Sequence, residues 1–155
     1  MRLPLLPALA LFLAAPVAAQ TPTLAPAAAA AAAKLTPEQE AKLLALGKTY
    51  TRWFLAGKAD SLIAAMAPGT LEELGGASGV ADVMARVTER AGLETKVVEE
   101  KMTYRNGQPQ FWHAGEFSAF SEDELVIRWV MTPEGKITGA GIGPKGQTPE
   151  PDGAL

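Results

Sequence analysis

The stretch "QFWHAGEFSAFSEDELVIRWVMT", Gln110 to Thr132, holds the only histidine of the chain and two of its three tryptophans. Its Val, Ile, Phe and Trp content and its alternation predict two strands joined by the acidic turn "SEDE", Ser121 to Glu124. The strand reading decides what His113 and Glu116 can do together. Successive side chains of a strand point to opposite faces, so two residues three apart form neither a catalytic dyad nor a metal pair, whereas a helix would place them on one side.

A simple hairpin with Phe120 opposite Leu125 divides the stretch into two faces. One carries Trp112, Ala114, Glu116, Ser118 and Phe120 with Leu125, Ile127, Trp129 and Met131. Because it holds both tryptophans, it is expected to face the core. Glu116 would then point into an aromatic interior, where burial raises a carboxyl pKa. With Tyr50 and Trp53 from upstream, Trp112, Glu116 and Trp129 are the candidate ligand-binding residues. The other face carries Phe111, His113, Gly115 and Phe117 with Val126, Arg128, Val130 and Thr132. Phe111, Phe117, Val126 and Val130 would form an apolar patch there, with His113 and Arg128 at its polar rim. Soluble monomers rarely leave such a patch uncovered, so these six residues are the candidate interface for a homodimer or a docked partner domain.

Downstream, "TPEGK" is a tight turn and "ITGAGIGP" a last strand. The alternate glycines of "GAGIG", Gly139 to Gly143, follow a hairpin and precede no helix, which excludes a nucleotide-binding loop. They suit close packing or a bend. Upstream, Asn106 and Gly107 form the strongest short hairpin signal in the chain, after a strand in which Val98, Met102 and Tyr104 keep an even spacing.

Before Gly92 the period is helical. Thr36 as N-cap, Pro37 at the first helical position and Gln39 completing a capping box predict a helix running to about Ala56, ended by Gly57. Leu43, Leu46, Tyr50, Trp53 and Phe54 make its apolar stripe. Asp60 is expected to cap a second helix, "SLIAAM", ended by Pro68 and Gly69. Thr70 with Glu73 would cap a single turn. Ser78 would cap a fourth segment with Val80, Val83, Met84 and Val87 on one stripe. Helices followed by an antiparallel meander make an α+β domain, with N-terminal helices packed on a curved sheet.

The first nineteen residues have one basic residue, an apolar run and a small-residue end. They read as a secretory signal peptide cleaved after Ala19. The run is shorter than the roughly 20 apolar residues a membrane span needs, and Pro4, Pro7 and Pro16 interrupt it, so no stable membrane anchor is expected. Residues 20–34 form an Ala/Pro-rich linker, 35–144 the folded domain and 145–155 a disordered tail. The chain has no cysteine, which removes disulfides and a thiol nucleophile and suits a secreted or periplasmic protein. Taking Arg2 from the 14 Lys and Arg leaves 13 against 17 Asp and Glu, a net charge of −4 with His113 neutral. The basic residues are scattered, so nucleic acid is not an expected partner. No catalytic constellation, metal cluster or cofactor motif stands out.

The element order, "LGGASGV" at Leu74 to Val80, and above all "FWHAGEF" followed by "VIRWVMTPEGKITGAGIGP" resemble the NTF2-like (cystatin-like) superfamily, in particular its exported bacterial domains of unknown function. The resemblance covers roughly Thr36 to Pro144. Its most specific part is the "W-x-x-x-P-x-G-K-I-x-G" ending, Trp129 to Gly139. It implies an α+β cone with a possible pocket and a binding or accessory role in the bacterial cell envelope, without cofactor. Superfamily enzymes use His–Asp or Tyr–Asp sets at the open end of the cone. Tyr50, Tyr104 and Asp82 are here, but no motif aligns them. The leading expectation is therefore a non-enzymatic exported binding module for an unspecified small molecule. The alternative is an isomerase or hydrolase using Glu116 in an aromatic pocket.

Overall fold

The computed structural model describes residues 34–154. The expected signal peptide and nearly all of the linker lie outside the described residues. Four helices, α1 (Pro37–Leu55), α2 (Ala59–Ala65), α3 (Pro68–Glu73) and α4 (Gly76–Ala91), precede four long strands. These are β1 (Glu94–Arg105), β2 (Gln108–Phe117), β3 (Phe120–Met131) and β4 (Ile137–Pro144); a 3-10 turn, Lys145–Gln147, and a two-residue strand, β5 (Gly153–Ala154), end the fold. All strand pairs are antiparallel, in the order β4-β3-β2-β1-β5. The domain is α+β, with its helices on one face of the sheet.

Local chemistry sets most boundaries. The Thr36 side chain accepts from the Gln39 backbone N–H while the Gln39 side chain accepts from the Thr36 N–H, the expected capping box. Gly57 leaves α1 with φ 69 and Gly92 leaves α4 with φ 74. Three expected caps are corrected. Asp60 lies in the first turn of α2, whose N-cap is Lys58. Thr70 is buried inside α3, which Pro68 opens after the N-cap Ala67. Gly75, at φ 81, begins α4, ahead of Ser78.

Asn106 (φ 50) and Gly107 (φ 75) form the two-residue loop between β1 and β2, both in the left-handed region such a loop requires. The β2–β3 connection departs from expectation. Its turn is Ser118–Ala119, with Phe117 opposite Phe120, and "SEDE" is absorbed into β3 as an irregularity between the pairs Phe117↔Phe120 and Gly115↔Leu125. The turn is anchored from outside the hairpin. Ser118 N–H donates to Leu93 O and Ala119 N–H to Ala91 O, while Ser118 Oγ accepts from Leu93 N–H. The acidic segment has its own partners, since Asp123 accepts from Gly146 N–H and Glu124 pairs with Lys145 at 2.7 Å.

That shift changes which β2 residues share a face with β3. Phe111 lies opposite Trp129 and His113 opposite Ile127. The core therefore contains Leu125, Ile127, Trp129 and Met131 of β3, as expected, but Phe111 and Phe117 of β2. Trp112, Ala114 and Val126 form a separate buried cluster on the outer face. The expected interface set is thus split: Phe111, His113 and Phe117 face the helices, and Val126, Arg128 and Val130 face outward.

The segment from Lys145, expected to be a disordered tail, is structured. It leaves the sheet at the β4 edge and rejoins it at the opposite edge, where Thr103 pairs with Ala154 and Tyr104 with Gly153. The helices occupy the inner face, so the connecting residues cross the outer one. Thr148 Oγ1 sits over the bare backbone of Gly143, and Asp152 accepts from Asn106 N–H. On the same face Lys101 lies over the Trp112 ring, its Nζ 5.6 Å from the ring centroid.

Candidate functional site

Among the described residues several concave regions lie between the helices and the sheet, and two of them contain residues singled out in the sequence as site candidates. The first is a partly open apolar cavity of about 160 Å³ with Phe54 of α1, Leu62 of α2, Val80 and Val83 of α4, and Ile127 and Trp129 of β3 in its wall. The Gly141 backbone and Ile142 close the β4 side. Trp129 is fixed there because its indole N–H donates to Thr51 Oγ1 at 2.9 Å, and Phe54 meets it edge-on with ring centroids 5.8 Å apart. Tyr50, expected as a ligand-binding residue, packs edge-on against Trp129 from behind. Its hydroxyl donates to Gly135 O at 2.7 Å, and burial raises its pKa. Trp53, also expected, stands beside Tyr50 at 5.7 Å and does not line the cavity.

The second region is a cleft of about 420 Å³ between α1 and the β1–β2 pair, with His113 at its base. His113 is 2 % exposed, which corrects the expectation of a residue at the rim of the outer face. Nε2 lies 2.5 Å from Glu94 Oε1 and Nδ1 lies 3.3 Å from Glu100 Oε1. Lys48 Nζ bridges from α1 to Glu100 Oε2 at 2.6 Å. Gly115 makes room for this network, since a Cβ there would run into Glu94 Oε1 and the Lys96 carbonyl.

A neutral imidazole has one N–H and can donate to one carboxylate, so an imidazole hydrogen-bonded to two is the imidazolium. Burial by itself would lower the His113 pKa, but the hydrogen bonds and charges of Glu94 and then Glu100 outweigh it and raise the pKa. Burial raises the Glu100 pKa, while Lys48 and His113 more than reverse that and hold it below the ordinary carboxylate value. With both ring nitrogens occupied, the network holds a proton in place and ties α1, β1 and β2 together.

Glu116 is placed quite differently from expectation. It lies on the outer face with its side chain half exposed and pairs with Lys96 at 2.8 Å. It borders an open hollow with Phe117 and Phe120 beside Thr95, Ser121, Asp123 and Glu124, and does not point into the aromatic interior expected for acid–base chemistry. Trp112 is also on the outer face. Of the five expected ligand-binding residues, only Trp129 lines the apolar cavity. The residues missed are its walls from α2 and α4, and the acidic partners of His113. Among the described residues, no group of three or more His, Cys, Asp and Glu is arranged to hold a metal ion, and no helix is long and apolar enough to cross a membrane.

No protein-family model, curated protein or solved structure matches this chain.

Proposed function

We propose that the chain is an exported, NTF2-like binding module of the bacterial cell envelope, and that it holds a small apolar molecule between its helices and the inner face of the sheet. The cavity beside Trp129 carries this reading. Its wall is built from Phe, Leu, Met, Val, Ile and Trp side chains and the backbone of Gly141. Such a wall offers dispersion and release of water, which favour holding a ligand. The volume of 160 Å³ is close to that of an apolar cavity of about 150 Å³ that stays dry and accepts benzene. It is below the roughly 300 Å³ at which pockets for drug-sized ligands begin. The ligand class is therefore a monocyclic hydrocarbon, or the apolar end of a longer molecule entering from the open side. The leader-like first nineteen residues support export, and the helix-then-meander order supports the NTF2-like cone.

The test is thermal stabilisation by benzene, toluene and indole. Saturating ligand should raise Tm, by linkage to roughly 3 kcal/mol at a hundredfold excess over Kd. Val83→Phe, which fills the cavity from α4, should remove the shift while leaving a folded protein. Equal stabilisation of wild type and Val83→Phe would place the ligand elsewhere, and no stabilisation by any of the three would end the reading.

A further inference from the structure

The apolar cavity beside Trp129 has a neighbour. A hollow of about 410 Å³ lies further along the seam between α4 and the edge strand β4, with Arg86, Val87, Arg90 and Ala91 on one side and Gly143 and Pro144 on the other. Val83 of α4 and Ile142 of β4 belong to the walls of both spaces. The two hollows therefore meet at this pair of partly exposed side chains. Positions 83, 86, 87 and 90 of a helix fall on one face, so α4 turns a single stripe to the seam, apolar at Val80 and Val83 and cationic at Arg86 and Arg90. From Val80 to Arg90 the helix rises about 15 Å.

The second hollow differs from the first in charge. Arg86 and Arg90, one helical turn apart and both exposed, line it, and no described acidic residue does. The acids of α4, Asp82 and Glu89, stand outside its wall. Arg90 lies in the last turn, where a cation suits the helix dipole. Arg86 lies a turn earlier, and like charges four residues apart repel. Neither arginine forms an ion pair with a described side chain. The rest of the wall is largely apolar, with Val87, Phe120, Leu125 and Ile142 beside the two guanidinium groups. An anion attached to an apolar chain would relieve the repulsion and cover this surface.

We propose that the seam binds a single-chain anionic amphiphile, in its simplest form a medium-chain fatty acid, with the tail in the cavity beside Trp129 and the carboxylate at Arg86 and Arg90. This rests on the apolar cavity being a binding site and names the class of molecule it takes. The tail gains burial against Phe54, Leu62 and Trp129 and passes between Val83 and Ile142. The carboxylate accepts from the guanidinium N–H groups, a planar fit that leaves no charge buried because both arginines reach solvent. The cavity holds about 160 Å³, so it takes a tail and leaves the head outside, on the side of the arginines. An alcohol of the same length forgoes the charge-assisted bonds, and an alkylammonium meets repulsion.

Octanoate is the probe, with 1-octanol as its uncharged equivalent, octylammonium as the cationic one and acetate as the head alone. Calorimetry on the full chain gives each affinity, and competition with benzene reports on the cavity. Octanoate should displace benzene and bind several-fold more tightly than octanol, whereas acetate should leave benzene in place. Arg86→Gln with Arg90→Gln should weaken octanoate about tenfold and leave octanol and benzene unchanged. Added salt should weaken octanoate and not octanol in the wild type, a check that needs no variant. Octanoate binding no tighter than octanol, octanoate undiminished in the folded double variant, octylammonium binding equally well, or octanoate bound without displacing benzene overturns the proposal, and in each case benzene still bound leaves the cavity reading standing. Benzene that fails to bind ends that reading and this proposal together.

Discussion

His113 shows how far a single residue could be read from the sequence. Its strand was legible, and so was one of its partners: counting back in pairs from the Asn106–Gly107 turn puts Glu100 directly opposite His113, as the register shows. The face it occupies was not legible, because that depended on where the β2–β3 turn falls. Glu94 was hidden too, since irregularities between Glu94 and Lys96 and between Val97 and Glu99 shift the pairing along β1. The buried imidazolium has a pH signature. Its folded pKa is raised, so its stabilisation is complete below the unfolded value of about 6.5 and is lost as pH rises through the folded value. Glu100, with its pKa lowered, contributes above its unfolded value of about 4.3 and loses that contribution as pH falls through the folded value. Tm should therefore decline on the alkaline side, and His113→Gln should flatten that limb. The variant should also lose on the order of 2 kcal/mol near pH 6, because Glu94 and Glu100 keep their partial burial and lose their shared donor. Denaturant unfolding across pH checks both; an unchanged alkaline limb in the variant would assign the titration to another group.

At the scale of elements, periodicity identified α1 and α4, and turn chemistry identified the Asn106–Gly107 and Thr132–Lys136 turns. The β2–β3 turn was misread because four consecutive polar residues look like a loop, whereas the Ser118–Ala119 turn is selected by Ala91 and Leu93, distant in sequence. Tertiary anchoring overrode a local signal, and the faces of β2 were inverted as a result. The contact between α1 and β2 offers a test of the observed faces. Gly47 sits buried in α1, and a Cβ there would overlap the Phe111 ring. Replacing a helical glycine by alanine ordinarily gains up to about 1 kcal/mol. Here the methyl must displace Phe111, and overpacking of this kind costs about 1–3 kcal/mol. Gly47→Ala should thus destabilise the domain, and Gly47→Ala with Phe111→Leu should recover part of the loss. A Gly47→Ala protein more stable than wild type in denaturant unfolding would mean that Phe111 does not pack on α1.

Across the whole molecule, the strap joins opposite sheet edges and the helical layer leaves a cavity; neither was legible locally. The Pro- and Gly-rich strap sequence lacks the apolar residues of a core element, and it is held instead through Thr148, Asp152 and the acidic segment of β3. The cavity wall draws on α1, α2, α4, β3 and β4 together, so no short window of sequence contains it. Its walls are the basis of the proposed binding role. The most direct measurement is a crystal structure of the domain under xenon pressure or in benzene-saturated solution. The account predicts density between Phe54, Trp129 and Ile142, enclosed on the helical side by Leu62 and Val80. Side chains collapsed into that space, or ligand density confined to other sites, would contradict it.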